Sequence, residues 1–247
     1  ITDGFVGTAM IMFVVRGMKW GRRSDWVLAG VSLGLSQYFF ETGRLLFPVL
    51  AIAWFFGMLL FTPKARQHIR GMGIVLLVAL VMALPVYYNI IIRSETGFAR
   101  FDHSSSLYGE WIPLFQDGIQ PGDLEQASVW ALTPFAFFVH GREFVDFWGG
   151  PYSLLHPFIV PLFLLGVFYC VWRLRSPLNV FPLYIVATGL GSALMANKWG
   201  SPRYIIVMPV MALMIAIGIR YGLALMIPGS TFKKLRNIQI SPPTEWR

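Results

Sequence analysis

Six residues have the types and the placement to do chemistry together: Asp3 in TDGF, Glu41 and Arg44 in ETGRLL, and Lys198, Arg203 and Tyr204 in NKWGSPRY. A carboxylate such as Asp3 can take the proton of an attacking hydroxyl. It equally suits a helix start, where it accepts backbone N–H bonds and matches the helix dipole. Arg44 can hold a phosphate through two parallel N–H bonds while Glu41 orients it. The plainer reading of that pair is a local ion pair closing a helical hairpin, worth little if exposed. Lys198 and Arg203 have no acid within their turn. Such cations either snorkel toward lipid headgroups or hold an anionic phosphate.

Other chemistries find less support. His103, His140 and His156 stand singly, with no second histidine or carboxylate at metal-ligand spacing. No motif demands a cofactor, and a divalent metal is left open with weak support. GxSxG, Walker, GxGxxG-after-strand and CxxC patterns are absent. The single cysteine, Cys170, lies in an apolar run, which excludes an intrachain disulfide.

The elements that must position these residues follow from composition. Of 247 residues, 56% are hydrophobic and 13% charged, and mean hydropathy is +0.61. A soluble domain carries about 25% charged residues, so this composition excludes an ordinary soluble globule and equally excludes disorder. The expected class is all-α: a polytopic transmembrane helical protein of about seven spans. The apolar runs are Gly4 to Val15, Trp26 to Phe40, Leu45 to Phe61, Gly71 to Ile92, Pro157 to Trp172, Leu178 to Met195, and Tyr204 to Met226. Several are shorter than the ~20 residues of a perpendicular span and must borrow flanking residues.

Charge orients the spans. One side collects 14 cations against Asp25 and Glu245, a net of +12; the other holds six cations against ten acids, a net of −4. Positive connections belong inside, which puts the start of the chain outside and its end in the cytoplasm. The overall +8 is then a topology signal, and nucleic acid is not expected as a partner. Four spans occupy residues 1–92, a long outer loop 93–156, three spans 157–226, and a basic cytoplasmic tail 227–247. Within the loop, SETGFARFDHSSSLYGEW reads as irregular. The aromatic stretch Ser128 to Trp148 reads as an amphipathic or re-entrant interfacial helix. No Asp, Glu, Lys, Arg or His falls at a span centre, which counts against transport. Pro48, Pro85, Pro161, Pro182 and Pro209 should kink spans or mark their ends. Gly30/Gly34 and Gly218/Gly222, each four apart, should let helices approach closely.

The order of these features resembles a family. DWVLAGVSLGLSQYFFETGRLLFPVLAI, GGPYSLLHPFIVPLFLLGVFYCVWR and GSPRYIIVMPVMALMIAIGI are similar, in series, to bacterial membrane glycosyltransferases of the dolichyl-phosphate-mannose–protein mannosyltransferase type, family 39 of the C-type superfamily. TDGFVGTAMIMFVV resembles the span that follows an outer acidic motif in that family. The resemblance implies transfer of a hexosyl or pentosyl group from a polyprenyl-phosphate sugar to an acceptor on the outer face. It also implies a catalytic acidic residue in a first outer loop. The chain begins ITDGFVGT without an initiator Met, so the expectation is a fragment whose catalytic loop precedes Ile1. Asp3 is the nearest match to a second outer acid, although the arginine two residues before it in the family is Ile1 here.

Three readings follow. The favoured one is a membrane glycosyltransferase of the bacterial inner (plasma) membrane, with Asp3 catalytic and Glu41, Arg44, Lys198, Arg203 and Tyr204 binding substrate. Its partners are a polyprenyl-phosphate sugar donor and membrane lipids, with other membrane subunits left open. The second is a non-catalytic membrane subunit or scaffold of a larger complex. The third is a lipid or solute transporter.

Overall fold

The computed structural model describes residues 2–39, 41–92, 106–116, 120–139, 154–173, 176–195 and 206–226. Every element among them is helical. In chain order they are α1 (Thr2–Trp20), α2 (Arg23–Leu35), α3 (Glu41–Phe61), α4 (Ile69–Ile92), α5 (Ile112–Gln116), α6 (Pro121–Val139), α7 (Val160–Trp172), α8 (Val180–Ala193) and α9 (Met208–Met226). Short 3-10 turns cover Ser36–Tyr38, Pro63–His68 and Pro177–Asn179, and a π turn covers Leu107–Trp111.

Each of the seven apolar runs coincides with a helix: α1 to α4 and α7 to α9. Two stretches, Gly43–Phe61 and Ala65–Ile92, are long and apolar enough to cross a membrane by length and composition; Val160–Trp172, Pro177–Ala193 and Met208–Leu223 are shorter apolar helices. Only 17% of the most apolar window of Ala65–Ile92 is buried within the protein. Its outward residues Leu77, Leu80, Val81, Leu84 and Ile91 are apolar, as are Val49, Ile52, Phe56 and Leu60 of α3. A helix facing water carries polar residues there.

Local sequence explains the joints. Gly21, at φ +67°, ends α1 in the left-handed region, and its N–H donates to the Gly17 carbonyl at 2.8 Å. Glycine takes that conformation without a Cβ penalty. Of the five prolines, Pro161, Pro182 and Pro209 sit in the first turns of α7, α8 and α9, where a missing N–H costs nothing. Pro48 and Pro85 lie inside α3 and α4.

Two glycine crossings set the packing. Gly30 and Gly34 both face α4: a Cβ on Gly30 would lie 2.7 Å from Val78 Cβ, and one on Gly34 would meet Met82 Cβ. At the α7–α9 crossing the partner of Gly218 is Gly166. A Cβ on Gly166 would meet the Met214 carbonyl, and one on Gly218 the Leu162 carbonyl. Gly222 has looser surroundings, its nearest neighbour being Leu165 Cδ2 at 3.5 Å. The core lies where α1, α3, α8 and α9 meet, around Met10, Val14, Phe47, Leu50, Trp54, Tyr184, Met211 and Met214. Toward the C-terminal end of α3 the Trp54 indole N–H donates to Asn179 Oδ1 at 3.0 Å, so the buried ring leaves no donor unmet.

The segment between α4 and α7 departs from expectation in detail. Leu107–Trp111, read as irregular, is a π turn running into α5. The helix expected from Ser128 begins earlier, at Pro121. Pro121 takes the first helical position, and the N–H of Gln120 donates to Asp123 Oδ2 at 2.9 Å, the back half of a capping box. The end of the expected helix, residues 140–148, lies outside the described residues. The basic tail 227–247 does too.

Candidate functional site

The expected site residues begin at one end of the bundle. Asp3 stands in the first turn of α1, one residue inside the helix start, and is 9% exposed. An acid there is stabilised by the positive end of the helix. The opposing surface is the first turn of α3 at Gly43. A Cβ on Gly43 would lie 3.0 Å from the Asp3 carboxyl carbon and 3.2 Å from its Oδ2. The absent side chain is therefore the space the carboxylate uses.

Beneath Asp3 the floor is aromatic. Phe47, one turn along α3 and fully buried, packs against the Cα of Gly7 and meets the Tyr184 ring edge-on at 5.7 Å. Tyr184 of α8 lies within electrostatic reach of Asp3. Its hydroxyl donates to the Ile206 carbonyl at 3.0 Å, tying the start of the last helical segment to the same corner. Asp3 thus sits at a junction of α1, α3 and α8.

Arg44 follows Gly43 and is fixed by a turn of buried polar groups. Its Nε donates to the Gln37 carbonyl at 3.0 Å. Gln37, 2% exposed, accepts the Tyr87 hydroxyl on its Oε1 at 3.0 Å and donates through Nε2 to Ser36 Oγ at 2.9 Å. Ser36 donates to the Leu33 carbonyl at 2.6 Å, and Tyr38 to the Met82 carbonyl at 2.8 Å. This network joins α2, α3 and α4 and orients Arg44 from its Nε.

Asp3 and Arg44 are therefore brought to the same end, on adjacent sides of Gly43. Glu41 opens α3, but only its backbone is among the described features. Lys198, Arg203 and Tyr204 lie outside the described residues, as do His103 and His140. His156 stacks on Phe158 at 5.2 Å. No group of three His, Cys, Asp or Glu side chains able to hold a metal occurs among the described residues.

The segment between α4 and α7 closes against the C-terminal end of α8. The last carbonyls of α8 have no intrahelical partner. The Ala193 carbonyl accepts the Trp111 indole N–H at 3.2 Å, and the Leu194 carbonyl just past the helix accepts the Ser106 N–H at 2.9 Å. Trp111 meets Trp130 of α6 at 5.4 Å, and Phe135, further along α6, covers Gly189, which lies deeper in α8. α6 therefore runs along α8 from the C-terminal end of that helix.

Gln37, Tyr87, Gly43 and Tyr184 were not singled out from sequence. The one signal for Gln37 is its position: an amide in LSQYFF, at the mouth of a hairpin whose other arm carries Arg44. The chain matches no protein-family model, no curated protein and no solved structure.

Proposed function

We propose that this chain is a seven-span membrane glycosyltransferase, moving a sugar from a polyprenyl-phosphate donor to an acceptor hydroxyl on the outer face. The observation that carries this reading is the carboxylate of Asp3, 9% exposed and held against Gly43, one residue from Arg44. The seven apolar helices, the outward apolar faces of α3 and α4, and the division of +12 and −4 between the two sides support the membrane embedding and its orientation.

The chemistry assigns each group one task. The acceptor hydroxyl oxygen attacks the anomeric carbon, and its proton passes to the Asp3 carboxylate. The bond between that carbon and the phosphate oxygen breaks, and polyprenyl phosphate leaves with the electron pair. Negative charge grows on the departing phosphate, where Arg44 stabilises it in the transition state, together with Lys198 and Arg203. Glu41 orients Arg44, and Tyr204 borders the donor. The aromatic outer segment covers the donor's apolar tail.

The test is formation of polyprenyl phosphate from polyprenyl-phosphate hexoses and pentoses in proteoliposomes holding the intact protein. Arg44→Ala should raise the KM for donor about tenfold or more, in line with loss of a charge-assisted bond of about 1.5–3 kcal/mol. A scaffold or transporter forms no polyprenyl phosphate under any donor, and that outcome removes the reading.

A further inference from the structure

At the inner end of α1 one indole is approached by three cations. From the Trp20 ring centroid, the Arg16 guanidinium carbon lies at 5.1 Å, Lys19 Nζ at 5.3 Å and the Arg22 guanidinium carbon at 6.0 Å. Trp20 itself is 42% exposed. Like charges repel, so the ring face supplies part of what gathers them. A carboxylate supplies another part: Asp25, 2% exposed in the first turn of α2, places Oδ1 3.3 Å from Arg16 Nε. Across this connection the sequence carries four cations, Arg16, Lys19, Arg22 and Arg23, and one acid, Asp25.

A second basic connection is drawn alongside. The Trp26 ring packs across the Cα positions of Gly17 on α1 and Gly71 on α4, and lies 6.0 Å from the His68 ring. Arg66 and Arg70, two residues to either side of His68, are exposed. An aromatic stripe leads away from Trp20 toward the middle of α1. Phe13 lies seven residues before Trp20 on the same helix face, and the Arg16 guanidinium also stands 5.8 Å from the Phe13 ring.

We propose that this rim, centred on Trp20, binds the anionic headgroup of a phospholipid of the cytoplasmic leaflet. The phosphodiester meets Lys19 and Arg22, the indole sits at the boundary between headgroup and acyl chain, and the chain follows the stripe to Phe13. That stripe decides between sources of the anion, since a free phosphate has no acyl chain to lay along it. The proposal depends on membrane embedding and not on glycosyl transfer, so the two can fail separately.

The test uses the full chain in neutral detergent, titrated with short-chain phosphatidylglycerol and the matching phosphatidylcholine and read by native mass spectrometry. Phosphatidylglycerol should bind about 25-fold more tightly, and Lys19→Gln with Arg22→Gln should remove about fivefold per cation, and so nearly all of that preference. Equal affinity for the two lipids overturns the proposal, as does an unchanged preference in the double variant. Displacement of phosphatidylglycerol by inorganic phosphate at matched concentration assigns the rim to free anions instead and equally overturns it. The unmodified protein supplies a check that needs no variant: raising ionic strength from about 0.01 M to about 1 M should abolish the preference, and its persistence contradicts a headgroup held by charge.

Discussion

Asp3 and Gln37 show how much rests on single polar groups in an apolar molecule. Under the proposed mechanism Asp3 accepts a proton, so Asp3→Asn should lower kcat by about 100-fold or more while the donor KM changes little. Steady-state kinetics on reconstituted protein checks the split. Gly43→Ala puts a methyl carbon about 3 Å from the carboxyl carbon and should impair kcat as well, through displacement of Asp3. Gln37 makes no contact with substrate in this scheme; its side chain, anchored to Tyr87, places the main-chain carbonyl that holds Arg44 Nε. Gln37→Leu leaves the Tyr87 hydroxyl without its acceptor, a loss of about 1–3 kcal/mol of stability, while the Ser36 hydroxyl keeps the Leu33 carbonyl. Its functional signature is a raised donor KM resembling that of Arg44→Ala, and Gln37→Glu, which keeps the acceptor for Tyr87, should restore part of it. A stability loss with unchanged KM contradicts a positioning role.

At the scale of elements, the glycine crossings govern which helices touch. Gly166→Ala or Gly218→Ala drives a methyl group into a backbone carbonyl, which cannot rotate away, and should cost about 1–3 kcal/mol. Gly222→Ala has 3.5 Å to its nearest neighbour and should fall within about 0.5 kcal/mol. Unfolding in a denaturing detergent mixture distinguishes the two, and equal losses contradict the crossing. The Gly218/Gly222 spacing announced a close approach, but spacing on one helix does not name the partner. Gly166 lies in LLGVFY with no four-residue companion, so the crossing became visible only in three dimensions. The seven apolar runs were legible as helices because each is a long stretch with few charges between polar connections. The start of α6 was not, because Pro121-Gly122-Asp123 reads as a turn until Asp123 is seen to bond back to Gln120. The polar turn around Gln37 was hidden for a similar reason: an amide, a serine and a tyrosine fifty residues away carry no shared local pattern.

For the whole molecule, charge division is the strongest global signal and has its own test. Single cysteines placed in the 63–68 turn and in the 120–126 stretch should react from opposite sides with a membrane-impermeant thiol reagent, the second from outside. Labelling of both from one side contradicts the orientation drawn from +12 and −4. The central claim is glycosyl transfer at the outer end, and one measurement reaches it most directly. Polyprenyl phosphate is the product common to every sugar, so its formation is followed in proteoliposomes carrying either the intact protein or Asp3→Asn, with donor supplied on the outer face. The account predicts acceptor-dependent formation by the intact protein and a fall of about 100-fold or more in the variant. No formation with any donor, or equal rates from the two proteins, contradicts it.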